Sequence, residues 1–226
     1  MYRNTFLSVM FLACCFNGSL CAQSDAQIYE RTCDAKTYPF SDPSPVATPN
    51  NSYYPYFRFD GFSMQAQEKQ WKMVVLENDY VKLTVTPEIG GKIWGAIDKV
   101  NNKEFVYTNG VVKFRDVAMR GPWTSGGIEF NFGIIGHAPT CSTPIDYLTK
   151  KNVDGSVSCH IFSYEWITRT VWNVEISLPK DKAYFTTHTT WFNQSSIDQP
   201  YYQWMNAGYA TKTGTRFYYP GTYSIG

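Results

Sequence analysis

"LENDYVKLTVTPEIGGKIWGAIDKVNNKEFVY" runs from Leu76 to Tyr107. Val81, Leu83 and Val85 alternate with Lys82, Thr84 and Thr86, the period of two expected of a half-buried strand. Pro87 closes that strand, and the pair Gly90-Gly91 leads into a second one, "GGKIWGAID". "KVNNKE" is a turn and "FVYTN" a third strand. Working outward, "WKMVVLEN" precedes the stretch as another strand. Downstream, "TRTVWNVEISLP" puts Trp172, Val174, Ile176 and Leu178 on one side and Val171, Asn173, Glu175 and Ser177 on the other. "AYFTTHTTWFNQ" and "PYYQWMNAGYAT" are two more strands, with "LPKDKAY" and "SSIDQ" as connections. No window carries a sustained 3.6-residue period. Ten or so strands at regular spacing predict an all-β sandwich or barrel, and long β-branched, aromatic strands favour a large sandwich of antiparallel sheets. Without an internal repeat, a propeller is the weaker alternative.

Composition narrows the partners. Charged residues are 17% of the chain, below the usual quarter, while aromatics are also 17%. The formal net charge is +1 and there is no basic stripe, so nucleic acid and anionic membrane are excluded as expected partners. A weakly charged, ring-rich surface suits neutral polyhydroxylated ligands: apolar sugar faces stack on rings, and hydroxyls seek amides and carboxylates.

The N-terminus has the pattern of an export signal. One positive charge in "MYRN" precedes the apolar run "TFLSVMFLACCF", too short to span a bilayer, and "SLCAQSD" offers a small-residue cleavage site after Ala22. The rival reading is a lipoprotein cut before Cys14, in "FLAC". Either way the mature chain is expected to be exported: periplasmic or secreted, or tethered to the outer membrane by lipid. Residues 23–54 are polar and carry four prolines within "PFSDPSPVATP", which predicts an extended arm or linker ahead of a sandwich domain over 55–226. Cys33, Cys141 and Cys159 remain beyond the signal region. Cys141–Cys159 is the disulfide to test, and three idle thiols are the alternative. No CxxC, HExxH or clustered acid triplet is present, so no metal or other cofactor is expected. GxSxG, phosphate-loop and dinucleotide fingerprints are absent as well.

The order strand, proline, acidic residue, Gly-Gly, strand, turn in "LTVTPEIGGKIWGAIDKVNNKEFVY" resembles the opening of galactose-mutarotase-like domains. Together with "YPYFRFDGF", "RGPWTSGGIEFNFGIIGHAPT" and "YYQWMNAG" it is similar to the Bacteroidota family known as domain of unknown function 5107, from about Tyr38 to the C-terminus. The resemblance implies a supersandwich fold whose open, concave sheet face binds carbohydrate. It also implies a chain truncated at its C-terminus, ending at "YYPGTYSIG" without a terminal strand. A counterpart of the late general-base glutamate of mutarotases would then lie beyond Gly226. His137 answers to the first histidine of the mutarotase pair, and Asn206 stands where the second would fall.

Candidate site residues follow from alternation in "GPWTSGGIEFNFGIIGHAPT", Gly121–Thr140. If Gly127–Phe132 is a strand, Ile128, Phe130 and Phe132 face one side, while Glu129 and Asn131 share the other at a spacing of roughly 7 Å. His137 follows on a loop above that face. Sugar epimerisation or glycoside cleavage needs a proton donor and acceptor about the anomeric carbon, and Glu129 and His137 are the expected pair. The competing reading is the solvent-facing side of an ordinary strand plus a loop histidine. Tyr202, Trp204 and Asn206 share a face of their strand and form the expected pyranose platform; the alternative is a core face ending in a satisfied amide. Trp123 and Arg120 precede the glycine pair and reach the rim, with a structural ion pair as the competing role for Arg120. His160 and His188 are expected to be structural.

These readings predict a secreted carbohydrate-active protein working by acid–base chemistry. The alternatives are a non-catalytic carbohydrate-binding or cell-envelope module, and a truncated, inactive fragment.

Overall fold

The computed structural model describes residues 24–39, 63–116, 122–133, 139–141, 143–165, 168–211, 213–218 and 221–222. In chain order the strands are β1 (Gln27–Tyr38), β2 (Gln67–Glu77), β3 (Val81–Thr86), β4 (Lys92–Asp98), β5 (Lys103–Val106), β6 (Val112–Lys113) and β7 (Arg115–Asp116). After them come β8 (Pro122–Trp123), β9 (Ile128–Phe132), β10 (Asp146–Lys151), β11 (Val157–Glu165), β12 (Thr170–Leu178), β13 (Thr186–Asn193) and β14 (Gln203–Ala207). Short 3₁₀ turns occupy Pro87–Ile89 and Pro139–Cys141, and no α-helix occurs among the described residues.

The strands make a large sheet in the order β14-β9-β4-β3-β2-β1-β6, with β5 paired to β4, and a second sheet in the order β10-β11-β12-β13. β7 and β8 form a separate ribbon. Pairing is antiparallel except between β1 and β6. The fold is an all-β sandwich. Leu76, Leu83, Val85, Ile93, Phe130 and Phe132 of the large sheet share one buried cluster with Cys159, Ile161, Trp172, Val174 and Ile176 of the smaller one. Each such side chain contributes about 1.5–3 kcal/mol by leaving water. Phe132 stacks on Trp172 across the core, centroids 4.5 Å apart and planes 10° apart. The alternation read in β12 is present: Trp172, Val174, Ile176 and Leu178 are buried, and the residues between them are half-buried.

A second cluster, with Trp71, Met73, Trp94 and Phe114, covers part of the large sheet's other face, here called the outer face. One irregularity matters there. Thr84 stands opposite Gly95 and Val85 opposite Ile93, so Trp94 is the extra residue of a β-bulge. Such a residue re-aims its side chain relative to its neighbours.

The expectation of an arm over residues 23–54 is corrected in its first half. Gln27–Tyr38 is a twelve-residue strand, paired to β2 along nearly its whole length. It ends where the prolines begin, at Pro39, because proline lacks the N–H that a ladder needs. Its mostly exposed residues hide the alternation. Residues 40–54 and the signal segment 1–22 lie outside the described residues. The strands also outnumber the ten or so expected, because β6, β7 and β8 are two-residue pairings without a periodic signal. Cys33, Cys141 and Cys159 form no disulfide with one another, so the expected Cys141–Cys159 bridge is absent. Burial pushes the Cys159 thiol up to about 12, which keeps it protonated and unreactive.

Candidate functional site

β9 sits between β4 and β14 in the large sheet. Ile128, Phe130 and Phe132 enter the sandwich core, so Glu129 and Asn131 emerge on the outer face. The register with β14 pairs Asn206 with Glu129 and Trp204 with Asn131. Residues directly opposite in an antiparallel pair point the same way, so these four side chains share one face. On the other flank, Ile93 pairs with Ile128. One step along, that register sets Lys92 beside Glu129.

The approach of these strands depends on glycine. Gly126 and Gly127 both have positive φ, 76° and 67°, and turn the chain sharply into β9. A Cβ on Gly127 would lie 2.3 Å from the Ile93 carbonyl oxygen and 3.2 Å from Lys92 Cγ. The bare backbone there is ringed by hydrogen bonds. Gly127 N donates to Tyr107 O (2.8 Å), Gly208 N to Gly127 O (2.8 Å) and Tyr107 N to Gly208 O (2.9 Å).

These elements enclose a cavity of about 420 Å³, lined by Lys92, Trp123, Glu129, Asn206 and the Gly126-Gly127 and Ala207-Gly208 backbone. That size falls within the usual range for small-ligand pockets. Glu129 is 2% exposed and its Oε1 accepts a hydrogen bond from Asn131 Nδ2 at 2.8 Å. Lys92 is 1% exposed. Its Nζ donates to the Thr124 carbonyl and, at 3.0 Å, to Thr124 Oγ1. It also lies 5.9 Å from the centroid of the Trp123 ring, at cation–π range. Burial holds the Lys92 ammonium below its ordinary pKa, and the Glu129 carboxylate partly opposes that shift. The cavity thus presents a carboxylate acceptor, an ammonium donor, an amide able to do both, and an indole wall.

A family model described as a domain of unknown function, DUF5107, matches residues 48–226. The chain belongs to the DUF5107 family. Among solved structures it is similar to a TPR-domain containing protein from Parabacteroides distasonis ATCC 8503, at 27% identity and a TM-score of 0.74. That match covers 82% of this chain and 32% of the other, so the chain spans about a third of that protein's length. The DUF5107 match begins after β1, so the first strand of the sheet comes from outside the matched region.

Of the residues singled out in the sequence, Glu129, Asn131, Trp123, Trp204 and Asn206 fall on or around this DUF5107 cavity. Glu129 and Asn131 do share a face, but that face is buried rather than open to solvent, because the Pro139–Cys141 turn packs against β9 and Trp123 of β8 walls the same cavity. Tyr202 lies just ahead of β14, is largely exposed, and accepts a backbone hydrogen bond from Gly133 N through its own carbonyl. Arg120 and His137 lie outside the described residues. His160 stands on β11 with Nε2 3.7 Å from Glu175 Oε1, away from the cavity. Among the described residues no cluster of His, Cys, Asp or Glu could hold a metal ion, and no helix is long and apolar enough to cross a membrane.

Lys92 was missed. In the sequence it follows a glycine pair at the start of a strand, where a lysine reads as a solvated edge. The signal available was parity: Lys92 lies on the side opposite the core residue Ile93, the side Glu129 takes opposite Ile128.

Proposed function

We propose that this chain is an exported, galactose-mutarotase-like carbohydrate-active domain that takes a sugar into the cavity around Glu129. The observation that carries the reading is the lining of that one cavity: Glu129, Lys92, Asn206 and Trp123 around a glycine backbone rim. A pyranose offers one apolar face and a ring of hydroxyls, and this set answers both, the indole by stacking and the polar groups by donating and accepting. Burial strengthens those polar contacts by removing competing water.

In the catalytic form of the proposal Glu129 is the proton acceptor. His137 is the expected partner from the sequence. Within the described residues Lys92 is the proton-bearing group beside Glu129, and its lowered pKa suits a general acid better than an ordinary lysine. Epimerisation at the anomeric carbon, or glycoside cleavage, is the reaction class that such a pair serves.

A second reading is a recognition module without turnover. Two observations favour it: Glu129 is tied to Asn131 and almost wholly buried, and the similar solved protein, which has a TPR domain, is about three times as long as the matched region. Glu129→Gln separates the two. Catalysis predicts that turnover of the bound sugar is lost while calorimetric binding survives. The module predicts no turnover in either protein, and weakened binding in Trp123→Ala. Failure of a broad panel of free sugars and glycans to bind the native protein would sink both.

A further inference from the structure

A second cavity, of about 510 Å³, opens on the same outer face. Its floor is Trp94, the bulge residue of β4, with Thr84 of β3 beside it, and Arg31 of β1, Lys82 of β3 and Glu104 of β5 at its edges. The two cavities are neighbours by construction. Lys92 lines the first and Trp94 the second, two residues apart on one strand, a rise of roughly 7 Å. Thr86, whose Oγ1 donates to the Lys92 carbonyl at 3.1 Å, and Thr84 repeat that step on β3.

One segment parts them. Tyr107 is hydrogen-bonded to Gly127 and Gly208 at the first cavity, whereas Thr108, Asn109 and Gly110 line the second. Asn109 Nδ2 donates to Ser125 Oγ at 2.6 Å, which clamps this partition to the turn that leads into β9. Each cavity holds an indole, an amide, a carboxylate and a cation: Trp123, Asn206, Glu129 and Lys92 in one, Trp94, Asn109, Glu104 and Arg31 in the other, where Asp34, Lys36 and Lys82 add further charge. A ligand that fills one kit of groups and continues across the partition meets a second kit of the same chemistry.

We infer that the two cavities are successive subsites for a single oligosaccharide, so that the ligand is a linear glycan of about three residues or more rather than a free monosaccharide. This rests on the carbohydrate reading above. Occupying a second site through a linkage raises affinity because the second contact becomes intramolecular.

The test uses glucose, galactose, mannose and xylose with their homo-oligosaccharides of two to six residues, titrated calorimetrically into the native protein. At least one series should bind at least about tenfold more tightly at the trimer than at the monosaccharide. Arg31→Ala, at an exposed edge, and Trp94→Leu, which keeps apolar bulk, should each pull the trimer's affinity toward that of the monosaccharide. A monosaccharide that binds as tightly as its oligomers overturns the two-subsite inference and leaves the carbohydrate reading standing. So does a length gain that survives both substitutions. If no series binds at any length, the carbohydrate reading falls and takes this inference with it.

Discussion

Lys92 shows what the outer face requires of a single residue. A buried ammonium is costly unless its donors are used, and Thr124 takes two of them while Glu129 supplies opposite charge. Because the folded-state pKa lies below the 10.5 of an unfolded lysine, the charged form is the one that folding disfavours. That cost is fully present below the folded pKa and is relieved as pH climbs through it toward 10.5, where the unfolded chain holds the extra proton. Measured by urea midpoints from neutral to strongly alkaline pH, the native protein should gain stability over Lys92→Met within that window and run parallel to it below. Parallel curves throughout would mean the ammonium is not desolvated. Gly127 is the other residue on which the site turns. Gly127→Ala combines a positive φ with an overlap on the Ile93 carbonyl and should cost at least about 2 kcal/mol of stability. Gly110→Ala, with open space around it, should be near neutral. Thermal melts of the pair check this, and equal melting shifts would contradict the close approach of β9 to β4.

At the scale of the element, alternation was legible and burial depth was not. β12 and β9 put the residues on the sides that their period of two requires. The same period cannot say whether the second side faces water. For Glu129 and Asn131 that is decided by segments outside the strand, Trp123 of β8 and the Pro139–Cys141 turn, which pack against β9 and its cavity. β1 escaped notice for the converse reason: a strand near a sheet edge buries little on either face, so its residues need not alternate, and the prolines after Tyr38 coloured the whole segment. Parity with Ile93 gives the side that Lys92 takes, but its neighbour Glu129 and the Trp94 bulge are legible only from pairing partners, since neither local propensity nor period marks a register shift.

For the molecule as a whole, one inter-sheet contact links the shared core to the candidate site. Trp172 on the small sheet stacks on Phe132, and Phe132 shares a strand with Glu129. Trp172→Ala should therefore lower stability by about 3–5 kcal/mol, read by denaturant unfolding. On the proposed carbohydrate function it should also weaken ligand binding at the far face of β9, because the strand that carries Glu129 loses its backing. Unchanged binding in a folded Trp172→Ala protein would show that the outer face is held by β4 and β14 alone.

The order of the large sheet has a consequence in time. β14 is the last strand among the described residues, yet it pairs with β9, and every strand of the smaller sheet is made between them. A ribosome releases β9 long before its partner exists. Until β14 arrives, Glu129 lacks the neighbour that completes its cavity, and the edge of β9 waits unpaired. Closing so distant a pair late is slow compared with zipping adjacent hairpins. The cavity around Glu129 is thus completed only after the whole smaller sheet has been made, and a nascent chain lacks it until β14 has emerged.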